Sequence, residues 1–276
     1  MLHKLILNGV DVILYKKLVT SDKFFLIAGP CVVEDERIML QIAEELTEIT
    51  QKRGINLIFK SSYKKANRTS INSETGPGLK EGMAILKTIK QKFNLPIITD
   101  IHEKIDIEEV VKVADILQIP AFLSRQTELI VAAAKTGKIV NIKKGQFMAP
   151  DDIEKAAKKV LSVNNNKIIL TERGTCFGYH DLVVDFRSFA IMHSLGFPVV
   201  YDVTHSLQKP SQTNISGGAP QFAEMMAKAA IATGMVNGLF LETHPDPSIA
   251  HSDANSMLPL AEIPDLLDEC LNIERN

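Results

Sequence analysis

Short apolar runs alternate with longer amphipathic stretches along most of this chain. The runs FFLIAG (24–29), INLIFKSS (55–62), PIITD (96–100), DILQI (115–119), IVNIKK (139–144), KIILTE (167–172), PVVYDV (198–203) and GLFLET (238–243) are nearly continuous in apolar residues. Strands covered on both faces, as in parallel sheets, carry this pattern. Between them RIMLQIAEELTEITQK, GMAILKTIKQKF, TELIVAAAKTG and APQFAEMMAKAAIATG place apolar residues at helical spacing, and LPLAEIPDLLDECLNIE follows the last strand. Eight repeats of strand then helix predict an α/β fold of the closed (β/α)8 TIM-barrel type. An open doubly wound sheet would carry a Gly-rich phosphate loop after its first strand, and GPCVVE does not supply one. No linker or shift of composition divides the chain, so residues 1–276 read as one domain.

The N-terminal stretch MLHKLILNGVDVILYKKL has two alternating runs around Asn8-Gly9. That pair favours a tight turn, and the spacing predicts a β-hairpin over 1–17. Asn8, Gly9 and Asp11 interrupt its apolar residues and no small-residue cleavage site follows, which argues against a secretion signal. No apolar run approaches the roughly 18 residues of a membrane span. A soluble cytoplasmic protein is the expectation.

Composition narrows this further. The 276 residues are 45% hydrophobic, enough for a sizeable core, and the formal net charge is −2. Nothing in that balance points to nucleic acid or a membrane surface as a partner. Three cysteines argue against a disulfide framework and for a reducing compartment.

In a (β/α)8 barrel the chemistry gathers where the strands end, because eight loops converge there. Those positions hold Cys31, Lys60, Asp100, Gln118, Lys143 and Arg173, then Asp202 with His205 and Glu242 with His244. Strands that merely stop end more often on Gly, Asn, Ser or Pro. Lys60, Lys143 and Arg173, with Lys65, Arg68 and Arg125 from the loops, gather positive charge at one mouth of a slightly acidic protein. Such a pocket calls for phosphate or carboxylate ligands. A second set, Cys31, His205, Glu242 and Asp253, combines thiolate, imidazole and carboxylate, which suits a divalent transition metal. Its sequence spacing carries no compact metal signature, and taken alone a cysteine after proline reads more readily as core. Cys176 and Cys270 read as structural.

KANRTS (65–70), preceded by FKSSYK, resembles the substrate-phosphate motif of the 3-deoxy-D-manno-octulosonate 8-phosphate synthases. AGPCVVE, TDIHE, QIPAFLSRQTEL, NIKKGQF, TERGTCFGY, DVTHSLQ and ETHPDPSIAHSDANSMLPL agree in order, over about residues 24–262. The related 3-deoxy-heptulosonate phosphate synthases share the barrel but usually carry KPR-T where this chain has KANR. The resemblance implies an aldol-type condensation of phosphoenolpyruvate with D-arabinose 5-phosphate, in lipopolysaccharide synthesis, by a homotetramer. It implies that Lys60, Lys143 and Arg173, with Gln118 and Arg125, hold phosphoenolpyruvate. Asn67, Arg68 and Ser70 would hold the pentose phosphate, Lys65 would lie near the carbonyl, and Asp100 and His102 close to the reacting groups. Cys31, His205, Glu242 and Asp253 would bind the metal, since the metal-independent class of the family has asparagine where Cys31 stands. Zn, Fe, Mn and Co all fit such a shell. His180-Asp181 and Thr69 depart from the family's commoner residues, and KPSQTNISGGAP (209–220) is a candidate lid. Two rivals remain: a heptulosonate phosphate synthase, and a barrel that only binds a phosphorylated ligand.

Overall fold

Each apolar run is a strand where the pattern places one: β1 Phe25–Gly29, β2 Leu57–Lys60, β3 Ile97–Asp100, β4 Ile116–Ile119, β5 Ile139–Lys143, β6 Ile168–Glu172, β7 Val199–Asp202 and β8 Gly238–His244. The computed structural model describes residues 2–67, 75–209 and 217–274, and of residues 2–10 the backbone only. All eight strands pair in parallel with the next in order, and β8 pairs with β1 in the register Phe25↔Gly238 to Gly29↔Glu242. The sheet is therefore a closed barrel with no free edge. Helices follow the strands, among them α2 Glu36–Arg53, α3 Leu79–Phe93, α5 Thr127–Lys135, α6 Ile153–Leu161, α9 Ala223–Ala232 and α10 Ile263–Glu274. α4 (Ile107–Val110), after β3, and α8 (Val203–Ser206), after β7, are single turns, and α7 (Arg187–His193) is short. Among the described residues, no helix is long and apolar enough to cross a membrane.

Helix boundaries follow local chemistry. Asp35 opens α2 by accepting the Arg37 N–H at 2.9 Å, and Gly54 closes it in the left-handed conformation at φ 65°. The outward-facing strand residues pack against the helices in one continuous core. Inside the barrel lies a separate layer, one residue per strand beside its neighbours: Ile27, Ile58, Ile98, Ile116, Ile139, Ile169, Val200 and Phe240, all fully buried. Side-chain period 2 requires that separation of inner and outer faces.

The N-terminal hairpin expected from Asn8-Gly9 does not form. Residues Leu2–Val19 make one helix, α1. Leu14, Tyr15 and Leu18, at helical spacing, pack on the inner apolar layer and stopper the barrel end opposite the loops that follow the strands. Tyr15 donates its hydroxyl to the Ile168 carbonyl at 3.0 Å, and Asp11 is buried 3.4 Å from Lys138 Nζ. An isolated hairpin needs a third strand or a covering helix to be stable, and the closed barrel offers no edge. A helix can present one apolar stripe to the barrel end instead, and that tertiary contact outweighs the local turn preference.

Candidate active site

Two residues along each strand from the inner apolar layer, the next inward position changes character. Lys60, Asp100, Gln118, Asn141, Thr171, Asp202 and Glu242 stand beyond Ile58, Ile98, Ile116, Ile139, Ile169, Val200 and Phe240, and all seven are buried. Gly29 takes the eighth place, beyond Ile27. The barrel thus has an apolar floor and a polar ring above it, and the loops add groups from above.

One arc of this ring is acidic. Cys31, just past β1, lies with its Sγ 3.0 Å from Asp253 Oδ2 and 3.0 Å from Ser252 Oγ. Ligand atoms of Cys31, Glu242 and Asp253 all fall within 4.8 Å of one another. His205 Nε2 faces the same two carboxylates, 3.6 Å from Glu242 Oε1 and 3.9 Å from Asp253 Oδ2. Asp202 accepts from the His205 backbone N–H at 2.9 Å and lies 3.0 Å from its Nδ1. A carboxylate can only accept, so Nδ1 carries the hydrogen and Nε2 points at the cluster. Carboxylate behind imidazole is how metal-ligating histidines are usually held. Glu242 Oε1 is engaged by Lys60, while its Oε2 is buried with no hydrogen-bond partner among the described residues. One sulfur, one imidazole and two carboxylates, with that oxygen open, fit a divalent transition ion.

The cations interleave with the acids. Lys60 pairs with Glu242 and donates to the Cys31 carbonyl at 3.1 Å, and Lys143 Nζ lies 2.6 Å from Asp202 Oδ2. Both ammonium groups stand over the Phe240 ring, at 5.3 and 4.5 Å from its centroid. The ring's negative face favours both. Burial opposes ionisation of Glu242, Asp202 and Asp100, but the cations outweigh it and hold all three well below the usual carboxylate range. Lys60 and His205 act most on Glu242, His205 and Lys143 on Asp202, and Lys60 and Lys65 on Asp100. Half-buried Lys65 is affected oppositely: burial works against its charge, and Cys31, then Glu242, Asp100 and Asp253, more than offset it.

Arg173 is the exception among these cations. It is buried, and only Nη2 has a side-chain partner, the Gln208 amide oxygen at 3.1 Å. Its Nε and Nη1 are buried without a partner among the described residues. A guanidinium leaves such donors unmet at a cost that an oxyanion ligand would reduce.

The profile of the DAHP synthetase I family matches residues 17–274. The chain is 54% identical over 243 residues to the 2-dehydro-3-deoxyphosphooctonate aldolase of Trichlorobacter lovleyi, covering 88% of this chain and 89% of that one. Against the enzyme of the same name from Syntrophotalea carbinolica the figures are 51% over 250 residues and 90% of each chain. Against 2-dehydro-3-deoxyphosphooctonate aldolase 1 of Arabidopsis thaliana they are 48% over 269 residues, 95% of this chain and 92% of that one. The chain belongs to the DAHP synthetase I family, in its 2-dehydro-3-deoxyphosphooctonate aldolase branch.

In this family member the residues singled out from sequence fall into three groups. Cys31, Lys60, Lys65, Asp100, Gln118, Lys143, Arg173, His205, Glu242 and Asp253 lie together at the mouth. His102 is beside them: its ring meets Tyr63 edge-on with centroids 5.8 Å apart, and its Nδ1 is buried without a partner among the described residues. Burial, reinforced by Lys65 and Lys64, lowers the His102 pKa against the pull of Asp100. Asn67 and Arg125 are exposed on loops, and no described hydrogen bond joins either side chain to the rest. Arg68, Ser70 and Thr69, with residues 210–216 of the candidate lid, lie outside the described residues. Sequence reading gave no role to Ser62, Asn141, Thr171, Phe240 or Ser252. The first three stand among alternating strand-end residues, so their inward direction was readable, but their partners were not.

Proposed function

We propose that this chain condenses phosphoenolpyruvate with D-arabinose 5-phosphate and water to give 3-deoxy-D-manno-octulosonate 8-phosphate and phosphate. C3 of phosphoenolpyruvate attacks the aldehyde carbon, forming the C–C bond. Water adds at C2, the C2–O bond to phosphate breaks, and C2 becomes a ketone. The observation that carries this reading is Arg173, two of whose guanidinium donors are buried without a partner among the described residues. It stands just past β6, with Lys60 and Lys143 at the ends of β2 and β5 and Lys65 in the loop after β2. Lys60, Lys143 and Arg173 hold the phosphate and carboxylate of phosphoenolpyruvate, with Gln118 and Arg125 at its margin. Asn67, Arg68 and Ser70 hold the pentose phosphate. Two multiply charged anions side by side repel strongly where water is excluded, and the cations offset this while aligning the reacting carbons. Lys65, next to Asp100, is placed to donate to the oxygen on which charge develops as the aldehyde is attacked. His102, with Nδ1 unpartnered, is placed to hold or pass a proton at that atom.

Cys31, His205, Glu242 and Asp253 hold a divalent ion in this reading, Zn, Fe, Mn or Co. When bound it supplies a Lewis acid that orients the aldehyde and water. The same reading carries a cytoplasmic homotetramer, and exposed Phe122, Phe147, Phe177 and Tyr179 on loops that follow β4, β5 and β6 support self-association. Sedimentation velocity reads that assembly, and a monomer would remove it.

A phosphate-release assay tests the reaction. Turnover is expected with arabinose 5-phosphate, far less with erythrose 4-phosphate, and none after chelation until a divalent ion is restored. Preference for erythrose 4-phosphate would overturn the substrate, and full turnover after exhaustive chelation would overturn the metal.

A further inference from the structure

Four inward side chains on β3, β4, β5 and β6 form an unbroken hydrogen-bond chain. Thr171 Oγ1 lies 2.7 Å from Asn141 Oδ1, Asn141 Nδ2 lies 2.8 Å from Gln118 Oε1, and Gln118 Nε2 lies 2.6 Å from Asp100 Oδ1. Ser62 closes the end by donating to Asp100 Oδ2. All five residues are buried, so no solvent competes for these partners.

One charge dictates the direction of the whole chain. An ionised Asp100 can only accept, so Gln118 must turn its NH2 toward it. The Gln118 carbonyl then faces Asn141, which must present its own NH2. The Asn141 carbonyl is left facing Thr171, whose hydroxyl must donate. Each bond thus orients the next, and aligned dipoles in a dry interior reinforce one another, positive ends toward the carboxylate. Among the described residues, no hydrogen bond outside this hydrogen-bond chain engages the side chain of Asn141 or Thr171. Their neighbours one layer down are Ile139 and Ile169, the branched residues barrels normally use inside.

We propose that Thr171 and Asn141 are positioning residues, which reach no reactant but fix the Gln118 amide and through it the Asp100 carboxylate beside the aldehyde site. The assignment rests on the condensation proposed above. The consequence is specific: the hydroxyl of Thr171 matters for turnover although it lies three hydrogen bonds from Asp100.

Substituting Thr171 separates this from packing. Thr171→Val keeps the shape and removes the donor, whereas Thr171→Ser keeps the donor and removes a methyl. A packing role ranks Val at or above Ser, and a positioning role ranks Ser above Val. The expected result is kcat/KM within about threefold of the parent for Thr171→Ser and at least about tenfold lower for Thr171→Val, in line with one lost buried hydrogen bond. Thr171→Val equal to or better than Thr171→Ser overturns the proposal. Should the unaltered protein fail to turn over the two substrates, the functional reading falls by itself. The chain is then judged by neutron diffraction from deuterated crystals, which places the amide hydrogens directly. Gln118 NH2 toward Asp100 and Asn141 NH2 toward Gln118 support it, and either amide reversed overturns it.

Discussion

Lys60 and Glu242 form a buried ion pair across β1, from the two strands that flank it. They can meet because the ring position between them is Gly29, which has no side chain. A Cβ on Gly29 would stand 2.1 Å from the Lys60 carbonyl oxygen. The glycine therefore sets both the close approach of β1 to β2 and the contact that pairs Lys60 with Glu242.

Gly29→Ala is accordingly expected to destabilise the protein by about 2 kcal/mol or more, because the obstructing atom is backbone and cannot swing aside. Urea unfolding measures this, and activity should fall along with stability. An unchanged midpoint and unchanged turnover would show that the barrel absorbs the extra carbon.

Burial first, then Asp253 and Glu242, push the Cys31 thiol well above the ordinary cysteine value, with Lys65 and Lys60 pulling the other way. In the metal-free protein the folded state therefore keeps a proton that the unfolded chain releases above about pH 8.5. That contribution to stability is full below this pH and lost as pH rises. Replacing Cys31 by Ala should flatten the alkaline decline relative to the parent. A metal displaces the same proton, so its affinity should rise about tenfold per pH unit below the thiol pKa. Competition against a chromophoric chelator across pH reads this slope, and a pH-independent affinity would remove Cys31 from the ligand set.

Asp202 supports two groups at once, Lys143 and the His205 imidazole. Asp202→Asn keeps its shape but removes the charge both depend on. Breaking one side of a buried pair costs about 3 kcal/mol, and losing the carboxylate behind a metal-binding histidine lowers metal affinity about tenfold or more. With Asp202 held below its ordinary pKa, its stabilisation is present above about pH 4 and lost as pH falls. The variant should show a weaker acid decline, measured by urea titrations between neutral and acid pH.

Arg173→Ala should lower kcat/KM for phosphoenolpyruvate by about a hundredfold or more, since it deletes two donors waiting for an oxyanion. Arg173→Lys restores the charge without the fork and should recover only part of the loss. Initial rates at varied phosphoenolpyruvate check both, and full recovery by lysine would mean that charge alone is read.

Some of this was legible in the chain and some was not, for separable reasons. The strands of this chain are apolar on both faces below the polar ring, so FFLIAG or KIILTE stands out wherever its neighbours lie. Their last residues carried the chemistry because strand ends converge, which made Lys60, Lys143, Arg173 and Glu242 visible as a group. The N-terminal segment misled because Asn8-Gly9 is a local signal, whereas the burial of Leu14, Tyr15 and Leu18 against the barrel end is not. Asn141 and Thr171 passed unnoticed because a neutral residue in a strand signals nothing until its partner is known.

What the sequence by itself determined is the repeat of strand and helix and the kinds of chemical group offered at each strand end, since side-chain period and hydrophobicity are properties of neighbouring residues. Only the closed tertiary structure decided which groups meet. It set Cys31 against Asp253, 222 residues apart along the chain, and gave the hydrogen bonds around Asp100 a single direction. Closing the sheet makes the first and last strands neighbours and removes the water that would otherwise have satisfied each group alone.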